Sequence, residues 1–86
     1  MYKFTVYADP AHSWTKVPRK LLYTLGIIDK ITPFSYQRGE YVYLEEDCDM
    51  ATFLHAWRQR FSALPTFTEK HTNRSSKIRS YQPYDA

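Results

Sequence analysis

The chain opens on an alternation in which Tyr2, Phe4, Val6 and Ala8 fall on one side and Lys3, Thr5 and Tyr7 on the other. That period of two predicts a half-buried strand. Asp9-Pro10 closes it, because proline has no donor for the ladder and drives its predecessor out of the α region. Residues 11–16 then read as a loop. Pro18 suits the first position of a helix over 18–25, with Leu21, Leu22 and Leu25 on one face. Gly26 suits its C-terminal cap, since glycine reaches positive φ without a Cβ clash. Two β-rich runs, 31–37 and 40–45, flank Arg38-Gly39 and predict a hairpin turning at Gly39. Pro33 places the first of them at or near a sheet edge. Met50, Phe53, Leu54, Trp57 and Phe61 then recur at helical spacing behind the acidic run Glu45-Glu46-Asp47-Cys48-Asp49, where Asp47 or Asp49 is expected to cap the helix. A last strand is predicted over 66–70. The order β-α-β-β-α-β implies a small α+β domain of ferredoxin-like type, the split βαβ arrangement, with two helices on one face of a four-stranded sheet and the other face open.

Length and composition narrow the function classes. With 86 residues there is room for one core and none for a cleft between lobes. Eight Tyr, five Phe and two Trp supply enough apolar area to order the chain. One domain over 1–70 is expected, followed by a basic C-terminal extension, 71–86, that can fold back onto the sheet. A single cysteine, Cys48, excludes an intrachain disulfide and a multi-thiolate zinc site, and its carboxylate neighbours argue for a small packed side chain over a nucleophile. No apolar run is long enough for a membrane span, so a cytoplasmic setting without membrane contact is the default expectation.

Residues 1–64 are nearly balanced at +1 of the net +3, whereas Lys70, Arg74, Lys77 and Arg79 fall within ten residues that hold no carboxylate and are interleaved with hydroxyl and amide side chains. Such groups contact phosphate oxygens, although a solvated terminus has the same composition. His71 lies beside them. Tyrosines of the sheet, Tyr36, Tyr41 and Tyr43 with Tyr7, and Arg38 at the turn are candidates for contact with bases or with a protein. The segment Arg38-Gly39-Glu40-Tyr41-Val42-Tyr43 departs from the RNA-recognition pattern at Glu40 and Tyr41, and tyrosines on a small sheet more commonly pack across strands beneath a covering segment. In the loop after the first strand, Asp9, His12 and Trp14 form a further candidate, with Asp9 orienting the imidazole and Trp14 as a wall; a plain Asp9 turn with Trp14 over the first helix is the structural alternative. The acidic run lacks the spacing of a calcium loop, the three histidines match no metal signature, and two glycines make no phosphate loop. No cofactor and no metal are expected.

Four segments carry a resemblance: Val6-Tyr7-Ala8-Asp9-Pro10 with His12 and Trp14; Ser35-Tyr36-Gln37-Arg38-Gly39-Glu40; Tyr43-Leu44-Glu45-Glu46-Asp47-Cys48-Asp49; and the run from Glu69 to Arg79. Together they resemble a family of small proteins encoded by tailed bacteriophages and prophages, a family without an assigned activity. The resemblance implies a bacterial host cytoplasm and a non-enzymatic accessory protein that binds, and modulates or inhibits, a host or anti-phage-defence protein. The residues themselves also support a nucleic-acid-binding accessory protein contacting phosphates through the basic C-terminal segment. Oligomeric state is open at this level.

Overall fold

The computed structural model describes residues 2–86. Strand β1, Lys3–Ala8, turns directly into a second strand, β2, Ser13–Pro18. Helix α1, Arg19–Thr24, is followed by strands β3, Tyr36–Arg38, and β4, Tyr41–Glu45. Helix α2, Asp49–Phe61, leads to β5, Thr66–His71; a 3-10 turn, Lys77–Ser80, and a two-residue strand β6, Gln82–Pro83, complete the chain. The six strands form one mixed sheet in the order β5-β1-β2-β4-β3-β6, with β1 and β5 parallel and every other neighbouring pair antiparallel.

This order departs from the ferredoxin-like one, and the cause lies in residues 9–18. Asp9-Pro10 ends β1 but opens a tight turn instead of a loop. The Asp9 carboxylate accepts from the backbone N–H groups of Ala11 and His12 at 3.0 and 2.9 Å, and the Asp9 N–H donates back to the His12 carbonyl at 2.9 Å. The reversed chain pairs Tyr7 with Trp14 and Thr5 with Lys16, so β2 occupies the place beside β1 that a ferredoxin-like fold gives to a later strand. Pro18 ends that strand and caps α1 from extended backbone at φ −63°, outside the helix it was expected to begin. Gly26 does close α1: at φ 72° it lets the Gly26 and Ile27 N–H groups reach the Tyr23 and Leu22 carbonyls, and Ile27 folds into the core.

Strand β3 is also shorter than its β-rich run. Residues 31–35 form a loop held by Asp49, whose fully buried carboxylate accepts from the Thr32 N–H, the Thr32 hydroxyl at 2.7 Å and the Ser35 hydroxyl. Pro33 therefore sits in this loop. Asp49 is spent there and does not cap α2. Nor does Asp47: the Glu45 carboxylate accepts from the N–H groups of Asp47, Cys48 and Asp49 at 2.8, 2.6 and 2.6 Å, satisfying the donors of the N-cap and of the first helical residue. Cys48 is the exposed N-cap residue of α2, not a packed side chain.

Both faces of the sheet are covered, by different means. Phe4, Val17, Val42 and Leu44 meet Leu21 and Leu22 of α1 and Phe53 and Trp57 of α2 in the main core. On the opposite face Trp14 and Tyr43 pack against Ile78 of the 3-10 turn, flanked by Tyr7, Tyr36 and Tyr81. Residues 72–81 thus cross that face as a strap from β5 towards β3. Burial of Ile78 alone contributes about 1.5–3 kcal/mol to holding the strap down. Beyond it β6 pairs with β3, and Tyr84 turns into the main core, donating its hydroxyl proton to the Ile28 carbonyl.

Candidate functional site

Pairing register decides which side chains share the strap face. Tyr7, Trp14 and Glu45 are mutually opposed across β1, β2 and β4; Thr5, Lys16, Tyr43 and Tyr36 form the next row; Pro18, Tyr41 and Arg38 the row after. On β5, Lys70 lies opposite Tyr7 and Thr66 opposite Lys3. Directly opposed residues face the same side of a sheet. Lys3, Lys16, Arg38 and Lys70 therefore lie on one face with Thr5, Thr66, Thr68 and Tyr41.

The strap divides this face. It closes over Trp14 and Tyr43, whose burial pushes the Tyr43 phenol above its ordinary value, aided by the neighbouring Tyr81 and Tyr7 hydroxyls. Sheet tyrosines expected on an open surface are thus partly withdrawn: Tyr43 is buried, Tyr36 half-buried, and Tyr41 alone of the three is exposed. Beyond the strap the exposed surface is cationic. Lys16 holds its ammonium 4.1 Å from the centre of the Tyr41 ring, and the Arg38 guanidinium lies 5.0 Å from that of Tyr81, to whose hydroxyl oxygen it also donates. Both contacts fix a cation without neutralising it. Among strand residues of this face the one carboxylate is Glu45, and its charge is taken up by the first turn of α2.

Of the basic C-terminal candidates, Arg79 is committed internally. Its Nε and Nη2 donate to the two Asp9 oxygens at 2.7 and 3.0 Å, and its guanidinium lies 5.2 Å from the centre of the Trp14 ring. Asp9 also accepts from the Ser76 N–H, and these donors, Arg79 foremost, hold its carboxyl far below the usual carboxylate range. Arg74 and Lys77 are exposed on the strap. His71 is exposed at the end of β5 opposite Ala8, on the helix side of the sheet.

Asp9 does not orient His12. The imidazole Nδ1 is instead 3.0 Å from Glu46, which also accepts from the Ser13 hydroxyl at 3.3 Å. These three line a hollow of about 370 Å³ whose walls include Trp14, Phe34, Tyr36 and Cys48. A carboxylate-oriented imidazole is half of a nucleophilic catalyst, but Ser13 is bonded to the carboxylate and not to the imidazole, so no nucleophile–base hydrogen bond is present. Trp14 does wall this hollow; its ring packs under the strap, across the sheet from α1. Among the described residues no group of three His, Cys, Asp or Glu side chains converges to hold a metal ion, and no helix is long and apolar enough to cross a membrane.

Sequence reasoning singled out Arg38, Tyr41 and Lys70 of the cationic face and missed Lys3 and Lys16. The signal was present in β1, where the alternation puts Lys3 on the polar side with Thr5 and Tyr7; the unrecognised β2 hid Lys16. Glu46 was read only as part of an acidic run, because its partner His12 is 34 residues away. Comparison of the chain with protein families, with curated proteins and with solved structures finds no match in any of the three.

Proposed function

We propose that the protein is a binding module that engages nucleic acid through the phosphate backbone, using the half of the sheet left bare by the strap. One observation carries this reading: Lys3, Lys16, Arg38 and Lys70 share one sheet face with hydroxyl-bearing neighbours, while Glu45, the one carboxylate on the strands of that face, and Asp9 are consumed by internal partners, leaving Glu40 of the β3–β4 turn as the exposed acid beside Arg38. Cations set among Thr hydroxyls, one of them held over the Tyr41 ring, suit phosphate contact with little sequence preference. This shifts the interface from the C-terminal segment to the sheet, with Lys77 and Arg74 of the strap at its edge. The phage-type accessory role implied by the sequence resemblance fits such a module acting in a host cytoplasm.

The test is an anisotropy titration with labelled single- and double-stranded RNA and DNA at a series of salt concentrations. Four neutralised phosphates predict a log–log salt slope of about −3 to −4. Lys3→Glu with Lys16→Glu should abolish binding, whereas Lys20→Glu, exposed on α1 across the sheet, should leave it nearly intact. A wild-type protein that binds none of these at low salt would remove the reading.

A further inference from the structure

Between the β3–β4 turn and α1 lies a groove of about 460 Å³, lined by Pro18, Tyr23, Glu40 and Tyr41 among others and within the roughly 300–1,000 Å³ range of small-ligand sites. Its frame is fixed. The Arg19 N–H donates to the Glu40 carbonyl at 2.8 Å, and Pro18 pairs with Tyr41 across β2 and β4. Gly39 turns at φ 59°, with open space where a Cβ would stand. The groove meets the cationic sheet face at its last row, that of Pro18, Tyr41 and Arg38. Tyr23 is 61% exposed and Glu40 is exposed beside it. Neither adjacent cation neutralises Glu40. Arg19 donates to the Gln37 side chain at 2.8 Å and to the Asp85 carbonyl, and its guanidinium lies 5.1 Å from the centre of the Tyr84 ring. Lys20 makes no ion pair; those among the described residues are His12–Glu46 and Arg79–Asp9.

Charge and donor pattern select an occupant. Arg38 and Lys16, the latter 4.1 Å from the centre of the Tyr41 ring, stand at the sheet end of the groove. They repel a basic peptide and draw a phosphate-bearing ligand. An ionised carboxylate only accepts, so the part of that ligand entering the groove must donate, and two adjacent donors match its two oxygens. Among the bases guanine alone sets two donors side by side, N1–H and the N2 amino group. Adenine and cytosine place an acceptor nitrogen next to the amino group, and uracil flanks its one N–H with two carbonyls. In a duplex those guanine donors are already taken by cytosine. We infer that the groove takes an unpaired guanine, its ring laid on Tyr23 and its N1–H and N2 amino group donating to Glu40. The inference rests on the phosphate-backbone reading of the sheet and narrows it to single strands that contain guanine.

The test is anisotropy on labelled uridine octamers carrying one central guanosine, inosine or adenosine. Guanosine should bind about five-fold tighter than adenosine or better, the lower end for a bidentate base contact, with inosine, which lacks the N2 amino group, between them. Glu40→Gln removes a negative charge and should tighten the adenosine octamer, yet erase the guanosine advantage. A purely electrostatic role for Glu40 would move all three octamers together. Tyr23→Ala should weaken the guanosine octamer by about five-fold or more. Both positions are exposed, so near-UV circular dichroism of the two variants should match wild type. Equal affinity for the three octamers, a guanosine advantage that survives Glu40→Gln, or guanosine binding indifferent to Tyr23→Ala would overturn the inference and leave the phosphate reading standing. Binding of none of them at low salt would remove both.

Discussion

Arg79 grips Asp9 with two nearly parallel hydrogen bonds, of 2.7 and 3.0 Å, across 70 residues of sequence. The carboxylate that shapes the β1–β2 turn is thereby also the anchor of the strap, so the geometry of one end of the sheet and the cover of its tyrosine face are set by a single side chain. Its exposure is 1% at Asp9 and 35% at Arg79, which places the acid inside and the base at the rim.

Acid should loosen this anchor. The folded-state pKa of Asp9 is depressed, so the unfolded chain binds a proton first as pH falls, and the stabilisation present at neutral pH declines from about pH 4 downward. Asp9→Asn should flatten the acid limb of a stability–pH curve followed by urea denaturation. An unchanged limb would show that the ion pair is not linked to folding.

Alkali acts in the opposite sense on two tyrosines. Burial raises the pKa of both Tyr43 and Tyr84, so their contribution is intact below about pH 10 and is lost as the unfolded chain ionises above it. Absorbance at the tyrosinate band should show two late-titrating phenols in the folded protein. The Tyr43→Phe, Tyr84→Phe double variant should lose them.

Glu45→Ala should cost about 1–2 kcal/mol, the range for losing a helix N-cap, because the N–H groups of Asp47, Cys48 and Asp49 at the entry to α2 lose their acceptor. Asp47→Ala, at the position the sequence favoured, should change stability by under about 0.5 kcal/mol, as an exposed surface substitution. Urea melts of the two variants separate these assignments.

Asp49→Ala should be the most damaging single polar substitution, at roughly 3 kcal/mol or more. It strands the Ser35 hydroxyl and the Thr32 donors in the protein interior, where unsatisfied groups keep their full desolvation cost. Asp49→Asn retains one acceptor oxygen and should fall between wild type and alanine in the same melts.

Elements with a local signal were legible in the sequence. The alternation of Phe4 and Val6 with Thr5 and Tyr7 marked β1, the spacing of Phe53, Trp57 and Phe61 marked α2, and Gly26 and Gly39, with φ of 72° and 59°, marked the turns they make. Strand β2 was not legible, because it is sandwiched. Trp14 faces the strap, Val17 the main core, and both are buried, so no clean split of apolar from polar positions survives. Losing that one strand was enough to misplace the topology and to leave Lys16 out of the site. The distant side-chain partners, Arg79 of Asp9, Ser35 of Asp49 and Glu46 of His12, were illegible for a different reason: each lies 14 residues away or more, and no local rule selects it.

The parallel contact of β1 with β5 joins Tyr2 to Thr66 over 64 residues, and the strap adds a link of 70. Ordering such distant segments costs closure entropy before any reward arrives, which slows folding relative to a helical bundle of this size. Until those segments meet, neither the β1–β5 pairing nor the Arg79–Asp9 anchor of the strap exists. Refolding followed through the fluorescence of Trp14 and Trp57 should accordingly be slower than that of a helical bundle of this length.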